Sequence, residues 1–341
     1  MKHLVRRQFF GIVAIAIAAF ASEKPPQKRT APAVPKVGIK TPGIQLAFSR
    51  IKAEAEFQTP DKPEGVFITS GPTGSAFIPT KNSIDRIELK TNKKADPITA
   101  LDQPCGGMAS AFGSLWAPVC GPHSLARFDQ KTFKVTATIA TGTSTARGTI
   151  AASADSVWML TDDKITLSRI DPDQNAVVGE LRVPADCRGL MFAETALWLA
   201  CPSENKVLRV NPESNLVDQS IKVSDQPISV ATGAGSIWVL CRKEGKVDRV
   251  DPKTNKVTKT IELNVAGADG ELAFGENFLW ATQAGFPLTR IDPTSETVMQ
   301  QFNGDGGGAI AVSQGAIWLS NLKTGTVWRI DPKLVLATIP E

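Results

Sequence analysis

The sequence predicts an all-β chain, a seven-bladed β-propeller with four antiparallel strands per blade. Two markers that recur in phase, and one strand pattern between them, carry that prediction. The first is tryptophan: Trp116, Trp158, Trp198, Trp238, Trp280 and Trp318 are separated by 42, 40, 40, 42 and 38 residues, and Phe77 holds the same place 39 residues before Trp116. The second is a triplet of Arg, an apolar residue and Asp, Asn or Glu. It runs Arg86-Ile87-Glu88, Arg127-Phe128-Asp129, Arg169-Ile170-Asp171, Arg209-Val210-Asn211, Arg249-Val250-Asp251, Arg290-Ile291-Asp292 and Arg329-Ile330-Asp331. Each marker therefore gives seven units.

One unit resolves into four short strands. Between Pro227 and Asn264, Ile228 to Ala231 reads as strand A, Ser236 to Leu240 as B, Lys246 to Val250 as C and Val257 to Leu263 as D. Gly233-Ala234-Gly235 supplies the A–B turn and Asp251-Pro252-Lys253-Thr254-Asn255 the C–D turn. The Val, Ile and Thr residues alternate with period 2, which excludes a helical solenoid, and a parallel β-helix uses a shorter repeat.

From the N-terminus, Met1 to Arg7 is basic, Phe9 to Phe20 is apolar but too short to span a bilayer, and Ala19-Phe20-Ala21 is an A-x-A site. Residues 1–21 are thus expected to be a signal peptide, with a periplasmic or secreted product and no transmembrane anchor after cleavage. Arg6-Arg7-Gln8-Phe9-Phe10 leaves Sec and twin-arginine export both open. Residues 22–42 hold five prolines and five Lys or Arg, a composition that reads as a tether or a disordered leader. The propeller is assigned to 43–341.

Cleavage removes Lys2, Arg6 and Arg7 and takes the 38 Lys and Arg down to 35 against 34 Asp and Glu. That balance leaves no basic excess for phosphates, so no nucleic-acid partner is expected.

The last unit has room for only part of a D strand, from Val335 to Ile339. Some of the strand-like stretch from Ile44 to Phe57 is therefore expected to pair with the last blade and close the ring.

Gly235-Ser236-Ile237-Trp238-Val239, followed by Val247-Asp248-Arg249-Val250-Asp251-Pro252-Lys253-Thr254-Asn255-Lys256-Val257, resembles the repeat of virginiamycin B lyase-like and YVTN-type propellers. The resemblance covers residues 63 to 341. It implies the propeller fold and, for the lyases, ring opening by elimination with a His-based acid/base group and Mg²⁺ at the central cavity. This chain has two His, of which His3 leaves with the signal, and it has no Tyr. No catalytic residue is carried over.

A Trp repeated once per blade fills the wedge between blades, so that column is read as structure. The Asp of each Asp-Pro turn is read as its cap, and the Arg as pairing with that Asp or with carbonyls of the neighbouring blade. Function is sought where the repeat varies. The D–A and B–C loops share one face, and they are more varied than the short turns of the other.

Four cysteines lie on that face at matched places: Cys105 and Cys187 are each 11 residues before a Trp, and Cys120 and Cys201 are 4 and 3 after one. Antiparallel A and B strands bring such pairs together, so two disulfides are expected, Cys105–Cys120 and Cys187–Cys201. The alternative is a thiolate metal or redox site aided by Met108 and Met191. Cys241 faces Pro227 at the partner position and is expected to be a buried free thiol.

Arg147 and Arg188 stand at the start of strand A in consecutive blades, Arg242 follows Cys241, and His123 follows Cys120. Together they are candidates for an anion-accepting mouth to the channel, against the plain reading of solvated surface charge. Asp269, Glu271 and Asp305 lie near A-strand starts and are the metal candidates.

No catalytic triad order, phosphate loop, zinc spacing or dinucleotide fingerprint is present. The reading favours a non-catalytic exported scaffold, a monomer with no cofactor, that binds a protein, peptide, wall fragment or small anionic ligand at the mouth. The alternative is a Ca²⁺- or Mg²⁺-dependent lyase or hydrolase, resembling virginiamycin B lyase or gluconolactonase-like propellers.

Overall fold

A computed structural model of the chain describes residues 43–69, 74–99, 101–142, 150–161 and 165–338. The expected signal peptide and linker lie outside the described residues, as does Arg147. Among the described residues no helix is long and apolar enough to cross a membrane.

Seven sheets form, one for each predicted unit. Two strands precede the first unit, β1 (Ile44–Ala47) and β2 (Ala55–Gln58). Blade 1 is β3 (Phe67–Ile68), β4 (Ser75–Pro79), β5 (Ile84–Glu88) and β6 (Lys93–Ile98). Blade 2 is β7 (Ala109–Ala111), β8 (Ser114–Val119), β9 (Ser124–Asp129) and β10 (Val135–Ala140). Blade 3 is β11 (Ile150–Ala152), β12 (Val157–Thr161), β13 (Thr166–Asp171) and β14 (Ala176–Arg182). Blade 4 is β15 (Arg188–Ala193), β16 (Ala196–Cys201), β17 (Lys206–Asn211) and β18 (Leu216–Lys222). Blade 5 is β19 (Pro227–Gly233), β20 (Ser236–Cys241), β21 (Lys246–Asp251) and β22 (Lys256–Glu262). Blade 6 is β23 (Gly270–Gly275), β24 (Phe278–Gln283), β25 (Phe286–Asp292) and β26 (Thr297–Asn303). Blade 7 has β27 (Ile310–Ser313), β28 (Ala316–Asn321) and β29 (Thr326–Ile330). Its fourth strand is β2, antiparallel to β29 with Phe57 opposite Val327.

The ring therefore closes as expected, with the outer strand of the last blade supplied from the N-terminal side. Two details differ from expectation. Ile44–Ala47 adds in parallel to β26, on the outer edge of blade 6, rather than to the last blade. The chain end also does not begin a D strand: Pro332–Leu336 is a short helix. Asp331 accepts the Lys333 N–H, so the Asp-Pro pair that opens the C–D turns of blades 3, 5 and 6 here caps a helix, and β2 already occupies the edge a D strand would need. Buried Val335 docks this helix, and its carbonyl accepts from Gln300 Nε2 at 2.9 Å.

The tryptophan column does what its phase demands. All six indoles are fully buried. Trp198 packs with Val230, Ile237 and Val239 of the next blade, Trp238 with Leu272 and Leu279, and Trp280 with Ile317 and Leu319. The pattern wraps around, since Trp318 packs with Ala76, Ile78 and Ile87 of blade 1, and Phe77 with Leu115 and Ala117 of blade 2. Each large ring thus removes apolar surface from two blades at once.

Arg127, Arg169, Arg209, Arg249 and Arg329 face these rings, whereas Arg290 lies over Phe278 and Arg86 over Phe133. Trp116 pairs in register with Arg127, Trp198 with Arg209 and Trp318 with Arg329, and the guanidinium carbons lie 4.8, 5.8 and 5.7 Å from the respective ring centroids. Three of the arginines also reach into the C–D turn of the following blade. Arg127 donates to Asn175 Oδ1 at 2.9 Å, Arg249 pairs with Glu296 at 2.6 Å, and Arg329 donates to Leu89 O at 2.9 Å. The turn acid is left to its own loop: Asp251 Oδ1 accepts the Lys253 N–H at 2.8 Å, and Asp171 Oδ1 the Asp173 N–H at 2.7 Å.

Candidate functional site

The A strands are innermost. Each touches the next A strand from β7 round to β27, and β27 touches β3. Where they begin, on the face shared by the D–A and B–C loops, they enclose a cavity of about 560 Å³ lined by residues from all seven blades. That volume lies within the usual range for small-ligand sites.

Glycine shapes the entrance. Gly189 sits at φ +67°, and a Cβ on Gly270 would stand 2.0 Å from the Thr282 carbonyl oxygen. Gly189 needs glycine for its backbone conformation, and Gly270 for an approach closer than a side chain allows.

The lining carries four charged residues, Glu64, Arg188, Asp269 and Glu271. Arg188 opens β15, where a bulge between Arg188 and Met191 interrupts the ladder with β16. Its guanidinium meets Asp269 at 3.4 Å, while Arg242, from the B–C loop of blade 5, meets the same carboxylate oxygen at 2.9 Å. Arg242 is further held by Gln226 Oε1, which accepts from its Nε at 3.2 Å.

Arg188 is less well served. Its Nε is buried with no acceptor, and burial pulls its pKa below the ordinary arginine range, with Asp269 opposing that effect and Arg242 adding to it. Two guanidinium groups thus share one carboxylate whose side chain remains 69% exposed. The sequence expectation placed Arg188 and Arg242 on this face and the structure brings them together; it missed that Asp269 would stand between them.

The other candidates separate. His123 lies on the exposed B–C loop of blade 2 and does not line the cavity. Asp305 is exposed and pairs with Lys323 at 3.0 Å. Glu271 accepts the Ile310 N–H of blade 7 at 3.2 Å. Among the described residues no three His, Cys, Asp or Glu side chains gather as a metal-binding group. Glu64, which the repeat pattern does not single out, lines the cavity from blade 1.

Both disulfides form, Cys105–Cys120 with Cα atoms 5.9 Å apart and Cys187–Cys201 with Cα atoms 4.0 Å apart. They serve the cavity directly: Cys105 precedes the lining residues Gly106 and Gly107, and Cys187 precedes Arg188. Cys241 is a buried free thiol, as expected, and burial followed by the charge of Asp248 raises its pKa, so it stays protonated.

This architecture is matched among solved structures. Virginiamycin B lyase from Staphylococcus aureus superposes with a TM-score of 0.66 at 16% identity, covering 81% of this chain and 98% of that one. A streptogramin B lyase gives 0.64 at 15% identity, covering 81% and 96%. BamB from Moraxella catarrhalis gives 0.58 at 10% identity, covering 82% and 99%. The chain shares their fold. At these identities the likeness extends to architecture and not to activity. A family model described as a repeat of unknown function, DUF6923, matches residues 224–334, the stretch that spans blades 5 to 7. No curated protein matches the chain by sequence.

Proposed function

We propose that the protein is an exported binding scaffold that holds a ligand at the channel mouth through an anionic group seated on Arg188. One observation carries the reading: Arg188 lines the cavity while partly desolvated, with an unpartnered buried Nε and only a 3.4 Å contact to a largely exposed carboxylate. The long contact to Asp269 leaves the guanidinium free to take an incoming carboxylate or phosphate in a shorter, charge-assisted bond. Asp269 then acts as an internal placeholder that the ligand displaces. Two disulfides agree with an oxidising compartment, which supports export.

Thermal-shift titration with acetate and with inorganic phosphate, at constant ionic strength, tests this. The expected result is a saturable rise in Tm that Arg188→Met abolishes. No saturable rise, or an equal rise in the variant, overturns it. In the alternative reading, as a metal-dependent lyase or hydrolase, Ca²⁺ or Mg²⁺ produces that rise instead.

A further inference from the structure

The cavity presents a second unsatisfied charge of opposite sign. Glu64 lines it from blade 1, and its carboxylate meets no hydrogen-bond or ion-pair partner among the described residues. In a ring of seven, blade 1 faces the junction of blades 4 and 5, where Arg188 and Arg242 stand. The wall also carries half-buried apolar residues, Val66 and Phe67 next to Glu64 in the chain and Met191 close after Arg188, alongside Glu271 and Asp269 from blade 6.

We propose that the ligand is a zwitterion with separated charges and an apolar middle, a short linear peptide whose ammonium terminus meets Glu64 and whose carboxylate meets Arg188. The inference rests on the anion seat proposed above and adds the opposite pole. A ligand bearing only an anion leaves Glu64 facing the cavity unpaired, whereas a zwitterion answers both charges and brings no net charge into the channel. The apolar stretch accounts for a side chain rather than a bare linker, since Val66, Phe67 and Met191 lose water when it enters.

Calorimetric titration with linear peptides of two to five residues, each with a central Leu or Val, decides the matter. Each is compared in free, N-acetylated and C-amidated forms. The expected result is that blocking either end weakens binding tenfold or more. Glu64→Gln then removes the penalty for N-acetylation alone, and Arg188→Met the penalty for C-amidation alone. If N-acetylated peptides bind as tightly as free ones, the ammonium pole is overturned while the Arg188 seat stands. If no peptide binds but acetate or phosphate still stabilises through Arg188, the peptide class is overturned and the seat again stands. If neither peptides nor simple anions bind, both readings fall. Thermal melts of Glu64→Gln and Arg188→Met, expected close to that of the parent, separate loss of binding from loss of fold.

Discussion

Arg329, in the last strand of the repeat, donates to the backbone carbonyl of Leu89 in the first blade at 2.9 Å. The same guanidinium reaches Asn92 Oδ1, pairs with Glu54 at 3.3 Å and lies over the Trp318 ring. One side chain therefore ties together blade 7, blade 1 and the N-terminal segment that closes the sheet. Arg329→Ala should cost about 2–3 kcal/mol, since it removes charge-assisted bonds and uncovers a carbonyl. Arg169→Ala, which loses an exposed pair with Asp155 and one bond to Ser156 Oγ within its own blade, should cost less, about 1 kcal/mol. Chemical denaturation of the two variants checks this, and equal losses would show that closure owes nothing special to Arg329.

The tryptophans differ in a way that the repeat conceals. Trp198 Nε1 donates to Ala193 O at 2.9 Å and Trp238 Nε1 to Gly233 O at 3.0 Å, but Trp318 Nε1 is buried without an acceptor. Phenylalanine already fills the equivalent place in blade 1 as Phe77. Trp198→Phe should therefore destabilise by about 1 kcal/mol more than Trp318→Phe, because it removes an indole hydrogen bond where the other relieves an orphaned N–H. Similar midpoints for the two variants would remove the indole bond from the account.

Acid should act through the C–D turns. Backbone N–H donors lower the carboxyl pKa of Asp129, Asp171, Asp251 and Asp292, led by Thr132, Gln174, Lys253 and Thr294 respectively. A carboxylate depressed in the fold contributes stability above its unfolded pKa of about 3.9, and that contribution is lost as pH falls through the folded value. Asn211 makes the same C–D turn bonds without titrating. The quadruple variant D129N/D171N/D251N/D292N should keep those bonds and flatten the decline of Tm between about pH 5 and 3. An unchanged acid limb would assign that decline to other groups.

What the sequence disclosed and what it withheld have separate causes. A tryptophan repeated at one strand position has a single physical use, to fill a wedge, and that use survives any detail of loop conformation. Ring closure by some part of Ile44 to Phe57 was readable because the last blade lacked an edge, but nothing local marks Ala55–Gln58 for that edge or Ile44–Ala47 for blade 6. The Asp-Pro pair is ambiguous by nature, since an aspartate that caps a turn also caps a helix, and at Asp331 it does the second. At the site, the position of Arg188 at an A-strand start was legible. Its partner Asp269 lies 81 residues away and the pairing follows only from the curvature of the ring. Glu64 belongs to the first unit, where the markers are weakest.

The two disulfides close loops of nearly equal length, with sequence separations of 15 and 14, yet they should differ in function. By loop entropy each contributes roughly 3 kcal/mol, so paired serine variants of either should lose similar stability. Only Cys187 adjoins Arg188, which pairs with Ala200 beside Cys201 at the end of the ladder, so the covalent link anchors the backbone from which the guanidinium projects. Cys187→Ser with Cys201→Ser should weaken acetate or phosphate binding severalfold at a temperature well below its melt. Cys105→Ser with Cys120→Ser, which frees Gly106 and Gly107 on another wall, should leave that binding nearly unchanged. Equal effects of the two pairs on anion binding would mean that the disulfides only stiffen the ring, and that Arg188 is positioned by Asp269 and Arg242 instead.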